Sequence, residues 1–475
     1  MNYVKKILSK IPVGVKSSVA FCIASFISAG MAYITTPLYT RLLTTDEFGK
    51  VSVFLTWLQI FGIVAMFSLS AGVFNTGMID YPDKRDEYSF SMLTLSNLIT
   101  IIFSVVLLTC YPIVSSFINV DFPLIVLMCI IFFLQPAYNM WITRQRFEYK
   151  YKSVLLWASI CAISSPIIAL CCIYFTNGSR LYARILGAEI PLLIIYSFFY
   201  IKLGLSCRFR IEKKYWKAAF LFNLPLIPHY LSSNLLASSD KLMISAFISD
   251  TATAYYSIAN NVASVAMIIW SSINAALVPY VYQKCKETDY DSINKITIPI
   301  LTLFAVCCVG IIMLAPEVVW MLATAEYQES IFAIPPIVGG VFFQVQYFIY
   351  ANILYYQKKP KYVMVGSIVS FCVNFLLNYF CIPRYGYIAA GYTTLVSYVI
   401  QAIINYLAMK RAIPEHIYDM KYIFVLSIIV VVISLTSNWL YSYMLVRYLV
   451  IFSILLFLFF LRKKIIGYFV IMKNK

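Results

Sequence analysis

The chain has 475 residues, of which 62% are hydrophobic and only 12% are charged. A soluble protein of this length cannot bury so large an apolar fraction, so the composition excludes a soluble fold. The twelve cysteines form no CxxC pair and the chain has only two histidines, which argues against a disulfide framework or a metal site. We therefore expect no metal and no cofactor.

Fourteen apolar segments are long enough to cross a bilayer, and they predict an all-α integral membrane protein. Segment 14 is the shortest of them. The limits of the segments are 17–39, 50–76, 90–114, 122–142, 153–175, 182–203, 218–239, 253–282, 294–315, 332–355, 361–382, 386–409, 421–441 and 446–461.

Lysine and arginine are unevenly distributed between the gaps that separate these segments. The two termini and the even-numbered gaps, with their flanking residues, hold 30 of the 37, whereas the odd-numbered gaps hold seven. Cytoplasmic loops of membrane proteins carry the excess of positive charge. We therefore predict that both termini are cytoplasmic, which requires an even number of spans. Most of the net charge of +17 then reflects topology, and it gives no reason to expect a nucleic-acid partner.

The second half of the chain loosely repeats the first. Residues 238–241 (SSDK) close segment 7 much as residues 35–41 (TTPLYTR) close segment 1. Such internal repetition is typical of transporters built from two related halves. We predict a six-helix lobe at 1–207, a second six-helix lobe of the same orientation at 208–410, and two additional helices at 411–475.

Segment 7 carries more polar residues than a lipid-facing helix tolerates. It contains Asn223, His229 and Asn234, and Pro225 and Pro228 each remove a backbone donor. A helix of this kind lies inside a bundle beside a water-filled cavity, and its polar residues become candidates for function. We therefore predict that Asn234 binds the substrate.

Several short motifs occur in the order that one family of transporters shows. PLYTR at 37–41 precedes DEFG at 46–49, SDK at 239–241 precedes YYSIA at 255–259, and IPRYG follows at 382–386. With fourteen spans in a 6-6-2 pattern, this arrangement resembles the polysaccharide-unit flippases of the Wzx type, which are relatives of the multidrug and toxin extruders and of the lipid II flippases. The resemblance covers nearly the whole chain. It implies two six-helix lobes that form a V around a central cavity, with two extra helices outside them.

The resemblance also implies a substrate and a mechanism. Such flippases carry an undecaprenyl-pyrophosphate-linked oligosaccharide, an O-antigen or capsule repeat unit, from the cytoplasmic to the periplasmic leaflet of the bacterial inner membrane. They do so by alternating access. The partners it implies are the lipid-linked glycan, membrane lipid, H+ or Na+ as counter-ion, and the polysaccharide polymerase and chain-length proteins.

Arg41 and Lys241 each follow the first helix of a lobe. Both lie in the base-poor gaps, where topology does not require them. An arginine can hold a phosphate through two parallel hydrogen bonds, and Asp240, which we place at the outer end of segment 7, can orient the lysine. We predict that Arg41, Asp240 and Lys241 bind the pyrophosphate. Helix capping and snorkelling to the membrane interface are the alternatives.

Two further residues are candidates for coupling transport to an ion gradient. His229 lies about halfway down segment 7 and titrates near physiological pH in its unperturbed state. Glu189 is a carboxylate in segment 6, between Gly187 and Pro191. We predict that His229 and Glu189 couple H+ or Na+ to transport. A neutral histidine that only packs in the bundle is the alternative.

Amides and hydroxyls share one helical face in segment 11. Ser367, Ser370, Asn374 and Asn378 are spaced by three and four residues, and Asn274 lies in a polar stretch of segment 8. Amides suit sugar hydroxyls because they both donate and accept hydrogen bonds. We predict that Asn274, Asn374 and Asn378 line the substrate cavity. Hydrogen bonding between helices is the alternative.

The sequence has no motif of an enzyme site. It contains no GxSxG, P-loop or HExxH, and its loops are too short for a catalytic or ATP-binding domain, so we predict that the protein is not an enzyme. The alternatives to a repeat-unit flippase are a lipid II or teichoic-type flippase and a drug/cation antiporter of the extruder family. A membrane scaffold that transports nothing is disfavoured by the polar residues inside the helices.

Overall fold

The computed structural model describes residues 13–148, 150–453 and 456, and the regular structure within these ranges is helical, without a β-strand. The helices of the first half are α1 (Val13–Leu42), α2 (Thr45–Ala65), α3 (Val73–Asp80), α4 (Arg85–Ile118), α5 (Phe122–Phe147), α6 (Tyr151–Phe175), α7 (Arg180–Ser206) and α8 (Lys214–Asn223). The helices of the second half are α9 (Ile227–Phe247), α10 (Asp250–Lys286), α11 (Tyr290–Met313), α12 (Ala315–Leu322), α13 (Ile334–Tyr356), α14 (Pro360–Tyr385), α15 (Ile388–Ala412), α16 (Met420–Leu440) and the short apolar helix α17 (Met444–Ser453).

Eleven of the described helices are long and apolar enough to cross a membrane, and they correspond to predicted segments 2–6 and 8–13. Helix α1 covers segment 1, and segment 7 is divided between α8 and α9. Part of segment 14 lies outside the described residues, namely 454, 455 and 457–461. The prediction of an all-α membrane protein is confirmed.

Polar caps set where several helices begin. Thr44 and Glu47 form a capping box at the start of α2, in which the Thr44 N–H donates to Glu47 Oε2 at 3.0 Å and the Glu47 N–H donates to Thr44 Oγ1 at 3.2 Å. The Ser249 hydroxyl accepts from the Ala252 N–H at 3.1 Å and caps α10. These bonds satisfy backbone donors that have no partner within the helix.

Predicted segment 2 is not one continuous helix. Between α2 and α3 the chain bends at residues 66–72, and Phe67 and Ser68 have positive φ angles of 52° and 44°. The side chain of Asn223 holds this bend, because its Nδ2 donates to the Phe67 carbonyl at 2.6 Å and its Oδ1 accepts from the Val73 N–H at 3.3 Å. Irregular backbone at membrane depth needs partners of this kind.

The chain divides into two compact units, residues 1–234 and 235–475. In the N-terminal unit α7 packs on α5 and α6, and α1 packs on α6. In the C-terminal unit α13 is the central helix, with α10, α11, α15 and α16 around it. The division falls inside α9, later in the chain than the predicted lobe boundary at 207/208. The contacts that α8 makes with α3 and α4 explain the difference, because they hold it in the N-terminal unit.

Candidate functional site

A buried carboxylate lies inside the C-terminal unit. Asp240 on α9 is 1% exposed, and three neutral groups from other helices donate hydrogen bonds to it. Asn378 Nδ2 donates to Oδ1 at 2.5 Å, and the Tyr256 and Thr394 hydroxyls donate to Oδ2 at 2.5 and 2.7 Å. Helices α10, α14 and α15 thus each supply one donor to the same carboxylate.

A second layer of amides and hydroxyls surrounds these donors. Asn378 Nδ2 also reaches Asn374 Oδ1 at 3.1 Å, Asn374 Nδ2 donates to Thr394 Oγ1 at 3.2 Å, and the Thr393 hydroxyl donates to Asn378 Oδ1. We name these residues the Asp240 cluster: Asp240, Tyr256, Asn374, Asn378, Thr393 and Thr394.

The Asp240 cluster contains a carboxylate and no basic side chain. Among the described residues, no lysine or arginine nitrogen lies within 4 Å of the Asp240 carboxylate. A charge taken out of water is costly unless it is paired or neutralised. The neighbouring oxygens of Asn374, Asn378 and Thr393 are neutral ligands of the type that hard cations prefer. The arrangement is chemically suited to bind a proton or another monovalent cation.

The predicted position of Asp240 at the outer end of its helix is wrong. Helix α9 continues to Phe247, about 10 Å beyond Asp240 at 1.5 Å per residue, because residues 242–247 (LMISAF) are good helix formers and mostly apolar. Lys241 is half-buried and forms no ion pair with Asp240. Asp240 is therefore held by hydrogen bonds from other helices, and it does not orient Lys241 through a salt bridge.

Arg41 lies in the last turn of α1 and is exposed. Two further arginines come from the start of α7 to the same helix end: Arg180 donates to the Leu42 carbonyl at 2.9 Å, and the Arg184 guanidinium stacks 4.0 Å from the centre of the Tyr39 ring. Sequence reasoning assigned no role to Arg180 or Arg184, although both flank a base-poor gap. The N-terminal unit thus collects three cations around one helix terminus.

Glu189 is buried in α7 and accepts no hydrogen bond from any residue that the structure describes. The helix passes close to α6 here, because a Cβ at Gly187 would lie 2.8 Å from the Ala169 Cα. Glu189 is a second intramembrane carboxylate, in the N-terminal unit, and Arg184 is a charged group that interacts with it. Its predicted coupling role stays a prediction.

Two polar residues of α9 each have a buried side-chain atom that forms no hydrogen bond with the described residues. The Nδ1 of His229 and the Oδ1 of Asn234 are both buried, and neither has a hydrogen-bond partner within the described part of the chain. Asn234 also lines a cavity of about 290 Å³ in the N-terminal unit, together with Gln59, Ser96 and Gln135. Amides and a hydroxyl around such a cavity can hydrogen-bond a polar ligand. The predicted roles of Asn234 and His229 remain predictions.

Asn274 has a partner inside the C-terminal unit. Its Oδ1 accepts a hydrogen bond from Asn352 Nδ2 at 2.8 Å, which joins α10 to α13. Asn374 and Asn378, by contrast, belong to the Asp240 cluster and are fully buried. The structure therefore brings Asp240, Asn374 and Asn378 together, and it gives Asn274 a separate bond between helices.

Sequence reasoning missed Tyr256, Thr393 and Thr394. A signal was present for the threonines, because Thr394, Ser397, Gln401 and Asn405 are spaced by three and four residues in α15. Tyr256 had only its place in the YYSIA motif, which does not distinguish it from Tyr255.

Two family models match the chain. The model described as polysaccharide biosynthesis protein matches residues 15–284, and the MatE model matches residues 225–380. Lsg locus putative protein 1 of Haemophilus influenzae is 22% identical over 376 residues, which are 75% of this chain and 88% of that protein. The first family model covers more than half of the chain.

Solved structures of transporters have a similar fold. The lipid II flippase MurJ in an inward closed conformation superposes with a TM-score of 0.67 at 14% identity, over 95% of this chain and 100% of that chain. An inward-facing multidrug resistance MATE family transporter of the MOP superfamily superposes with a TM-score of 0.62 at 12% identity, over 83% and 97%. These matches agree with the expected transporter fold and with the prediction that the protein is not an enzyme. The chain belongs to the polysaccharide biosynthesis protein family, and it shares the fold of these membrane transporters.

Proposed function

We propose that the protein flips an undecaprenyl-pyrophosphate-linked oligosaccharide repeat unit, of O-antigen or capsule type, from the cytoplasmic to the periplasmic leaflet of the bacterial inner membrane. The match of the polysaccharide biosynthesis model to residues 15–284 carries the proposal, because it favours a glycan over a drug as cargo. The fold shared with a lipid II flippase supports a lipid-linked form of that glycan.

The chemistry of the N-terminal unit suits such a substrate. A pyrophosphate is a multivalent anion, and arginines bind it through charge-assisted, two-pronged hydrogen bonds. Arg41, Arg180 and Arg184 gather at one end of α1. The amide-lined cavity at Asn234 offers donors and acceptors to sugar hydroxyls.

Four residues keep their proposed roles as substrate ligands: Arg41 and Asn234 in the N-terminal unit, and Lys241 and Asn274 in the C-terminal unit.

We propose the Asp240 cluster as the preferred site of ion coupling, ahead of His229 and Glu189. An ionisable residue inside a membrane bundle is a functional candidate by default, and Asp240 combines nearly complete burial with neutral oxygen neighbours. Tyr256, Tyr398 and Lys241 are the other titratable groups near the carboxylate. Binding of H+ or Na+ neutralises the buried charge, and its release restores that charge. Such a change of charge can bias one conformation of the transporter over another.

A lipid II or teichoic-type flippase is a second candidate, supported by the fold shared with MurJ over 95% of this chain. A drug/cation antiporter of the extruder family is the third candidate, and the match of the MatE model to residues 225–380 supports it. Polysaccharide polymerase and chain-length proteins remain proposed partners of a repeat-unit flippase.

Transport by the purified protein tests the coupling. We would reconstitute the chain in liposomes, supply an undecaprenyl-pyrophosphate-linked oligosaccharide, and measure its translocation under an imposed proton or sodium gradient. We expect transport by the native protein to depend on one of the two gradients. Asp240→Asn should remove that dependence, and the other gradient should affect neither protein. Asp291→Asn is the matched control, since Asp291 is exposed at the start of α11. A gradient dependence that Asp240→Asn leaves unchanged would exclude Asp240 as the coupling group.

Translocation also tests the cargo. The oligosaccharide-linked lipid, lipid II and a cationic drug are offered separately to the same liposomes. Transport of the first alone is the expected result. Transport of lipid II or of the drug in its place would overturn the proposed substrate and support the corresponding alternative.

A further inference from the structure

Two polar stripes face each other along α14 and α15, inside the C-terminal unit. Each follows one helical face with steps of three and four residues, apart from the adjacent pair Thr393 and Thr394. None of these residues is more than 5% exposed. We name them the polar seam: Ser367, Ser370, Asn374 and Asn378 on α14, and Thr393, Thr394, Ser397, Gln401 and Asn405 on α15.

The polar seam begins at the carboxylate and continues well beyond it. Asn378 and Thr394 bond to Asp240, as described above. Farther along, Gln401 Nε2 donates to Ser367 Oγ at 3.2 Å. Eleven residues separate Asn378 from Ser367, which corresponds to about 16 Å of helix at 1.5 Å per residue, or roughly half of a 30 Å hydrocarbon core. The seam therefore leads from Asp240 toward the end of the unit where α14 begins and α15 ends.

Three buried atoms of the seam have no hydrogen-bond partner among the residues that the structure describes. They are Ser370 Oγ, Gln401 Oε1 and Asn405 Oδ1. Ser370 lies between the bonded group around Asp240 and the bonded group around Ser367, so its hydroxyl marks the break between the two. Nearly all buried polar groups in proteins are hydrogen-bonded, and bound water is the usual partner when the protein supplies none.

A glycine sets the spacing of the helices at the far end of the seam. A Cβ at Gly366 would lie 2.5 Å from the Nδ2 of Asn405. The missing side chain leaves room for that amide between the helices, where its Nδ2 donates to the Gln401 carbonyl at 2.9 Å. The polar residues of the seam thus extend along α15 for about three turns, from Thr394 to Asn405.

We propose that the polar seam is a hydrated path inside the C-terminal unit, through which the coupling cation leaves Asp240. The predicted topology puts the beginning of α14 and the end of α15 in the cytoplasm, so the path is a cytoplasmic release route. The proposal rests on the proposed function, since Asp240 must bind the cation. Because the seam is buried within one unit, the cation and the glycan need not share a route.

Thiol labelling tests whether water reaches the polar seam. Membrane vesicles with the Ser370→Cys variant are treated with a small, positively charged, water-soluble methanethiosulfonate, and mass spectrometry measures the modification of each cysteine. Native Cys372 is an internal control, because it lies on the exposed apolar face of the same helix. Val369→Cys is the matched control variant, because Val369 is 38% exposed on that face in the native chain.

The introduced thiol should react at least about tenfold faster than Cys372, because only the thiolate reacts and water in the seam would stabilise that charged form, whereas an apolar surface would not. A thiol at position 370 that reacts no faster than Cys372 would overturn the hydrated path. If Ser370→Cys does not accumulate in the membrane, Ser367→Cys and Ser397→Cys probe the same seam, and the same comparison decides.

Transport separates this proposal from the proposed function. Gln401→Leu should lower the maximal rate of cation-driven transport about tenfold with the half-saturating cation concentration unchanged, whereas Asp240→Asn should remove the cation dependence itself. If the thiol at position 370 is labelled and Asp240→Asn keeps a normal cation dependence, the coupling site is wrong and the hydrated path remains. If the thiol is not labelled and Asp240→Asn loses the cation dependence, the hydrated path is wrong and the coupling site remains. An unchanged rate in Gln401→Leu would also count against the path.

Discussion

Arg447 and Glu317 form a two-pronged ion pair between α17 and α12. Arg447 Nη2 lies 2.5 Å from Glu317 Oε1, and Nη1 lies 3.0 Å from Oε2. The Tyr448 hydroxyl donates to the same carboxylate at 2.9 Å. The arginine side chain is 5% exposed and the glutamate side chain is 36% exposed. The pair fastens the chain beyond α16 to the C-terminal unit.

Breaking this pair should destabilise the protein. Arg447→Ala should lower the free energy of unfolding by about 1.5–3 kcal/mol, the range for hydrogen bonds to charged groups, at the lower end because Glu317 is partly exposed. Arg447→Lys should recover only part of it, because lysine cannot make the two-pronged contact. Thermal unfolding of the purified variants measures the loss.

A double-mutant cycle isolates the pair itself. The combination of Arg447→Ala and Glu317→Ala should cost less than the sum of the two single changes, because residues in contact are not independent. Additive losses would mean that each side chain acts through other contacts and that the ion pair contributes nothing.

Asn223 should be necessary for the bend between α2 and α3. Asn223→Leu removes both the donor to the Phe67 carbonyl and the acceptor of the Val73 N–H. Each buried backbone group left without a partner costs about 1–3 kcal/mol, so a clear loss of thermal stability is expected. Asn223→Asp keeps the acceptor but places a second oxygen where Nδ2 now donates to the Phe67 carbonyl, so it should not restore the stability of the native chain.

Gly72 provides an independent check of the same contact. A Cβ at Gly72 would lie 2.4 Å from the Asn223 Oδ1, so Gly72→Ala should displace the amide and lower stability. Gly178→Ala is the control, because a Cβ there meets only the Thr176 hydroxyl at 3.8 Å. Equal stability of the Gly72→Ala and Gly178→Ala variants would contradict a role of Asn223 in holding the bend.

Arg41 and Lys241 should both be needed for export of the glycan. Charge-assisted hydrogen bonds contribute about 1.5–3 kcal/mol each, or about ten- to hundredfold in affinity. Arg41→Ala and Lys241→Ala should therefore strongly reduce surface polysaccharide while the protein still reaches the membrane. Arg41→Lys should restore only part of it, since charge remains but the two-pronged geometry is lost.

The double variant with Arg41→Ala and Lys241→Ala decides between substrate binding and the structural alternatives. Normal surface polysaccharide at ordinary protein levels would remove both residues from the substrate path. Helix capping by Arg41 and snorkelling of Lys241 would then account for the two cations.

The uneven distribution of lysine and arginine predicts the orientation in the membrane. Reporter fusions near Lys286, after α10, should report a cytoplasmic location, and fusions near Ala325, after α12, a periplasmic one. Opposite signals at both positions would reverse the topology, and with it the assignment of the polar seam to the cytoplasmic side.

The sequence alone was sufficient for the class of fold and for the faces of individual helices. Eleven of the predicted segments return as membrane-length helices, because the length and apolarity of a span are local properties that the bilayer imposes. Ser367, Ser370, Asn374 and Asn378 do share one buried face, because the period of a helix is also local.

The tertiary structure decided which of these residues meet. Asp240 was predicted at a helix end, yet it lies inside α9 with donors from Tyr256, Asn378 and Thr394. Asn378 and Thr394 stand 138 and 154 positions away in the chain, and no local pattern relates residues so distant. The same reason explains the bend at 66–72: it is held by Asn223, about 150 residues later, so the sequence of segment 2 by itself predicts an unbroken helix.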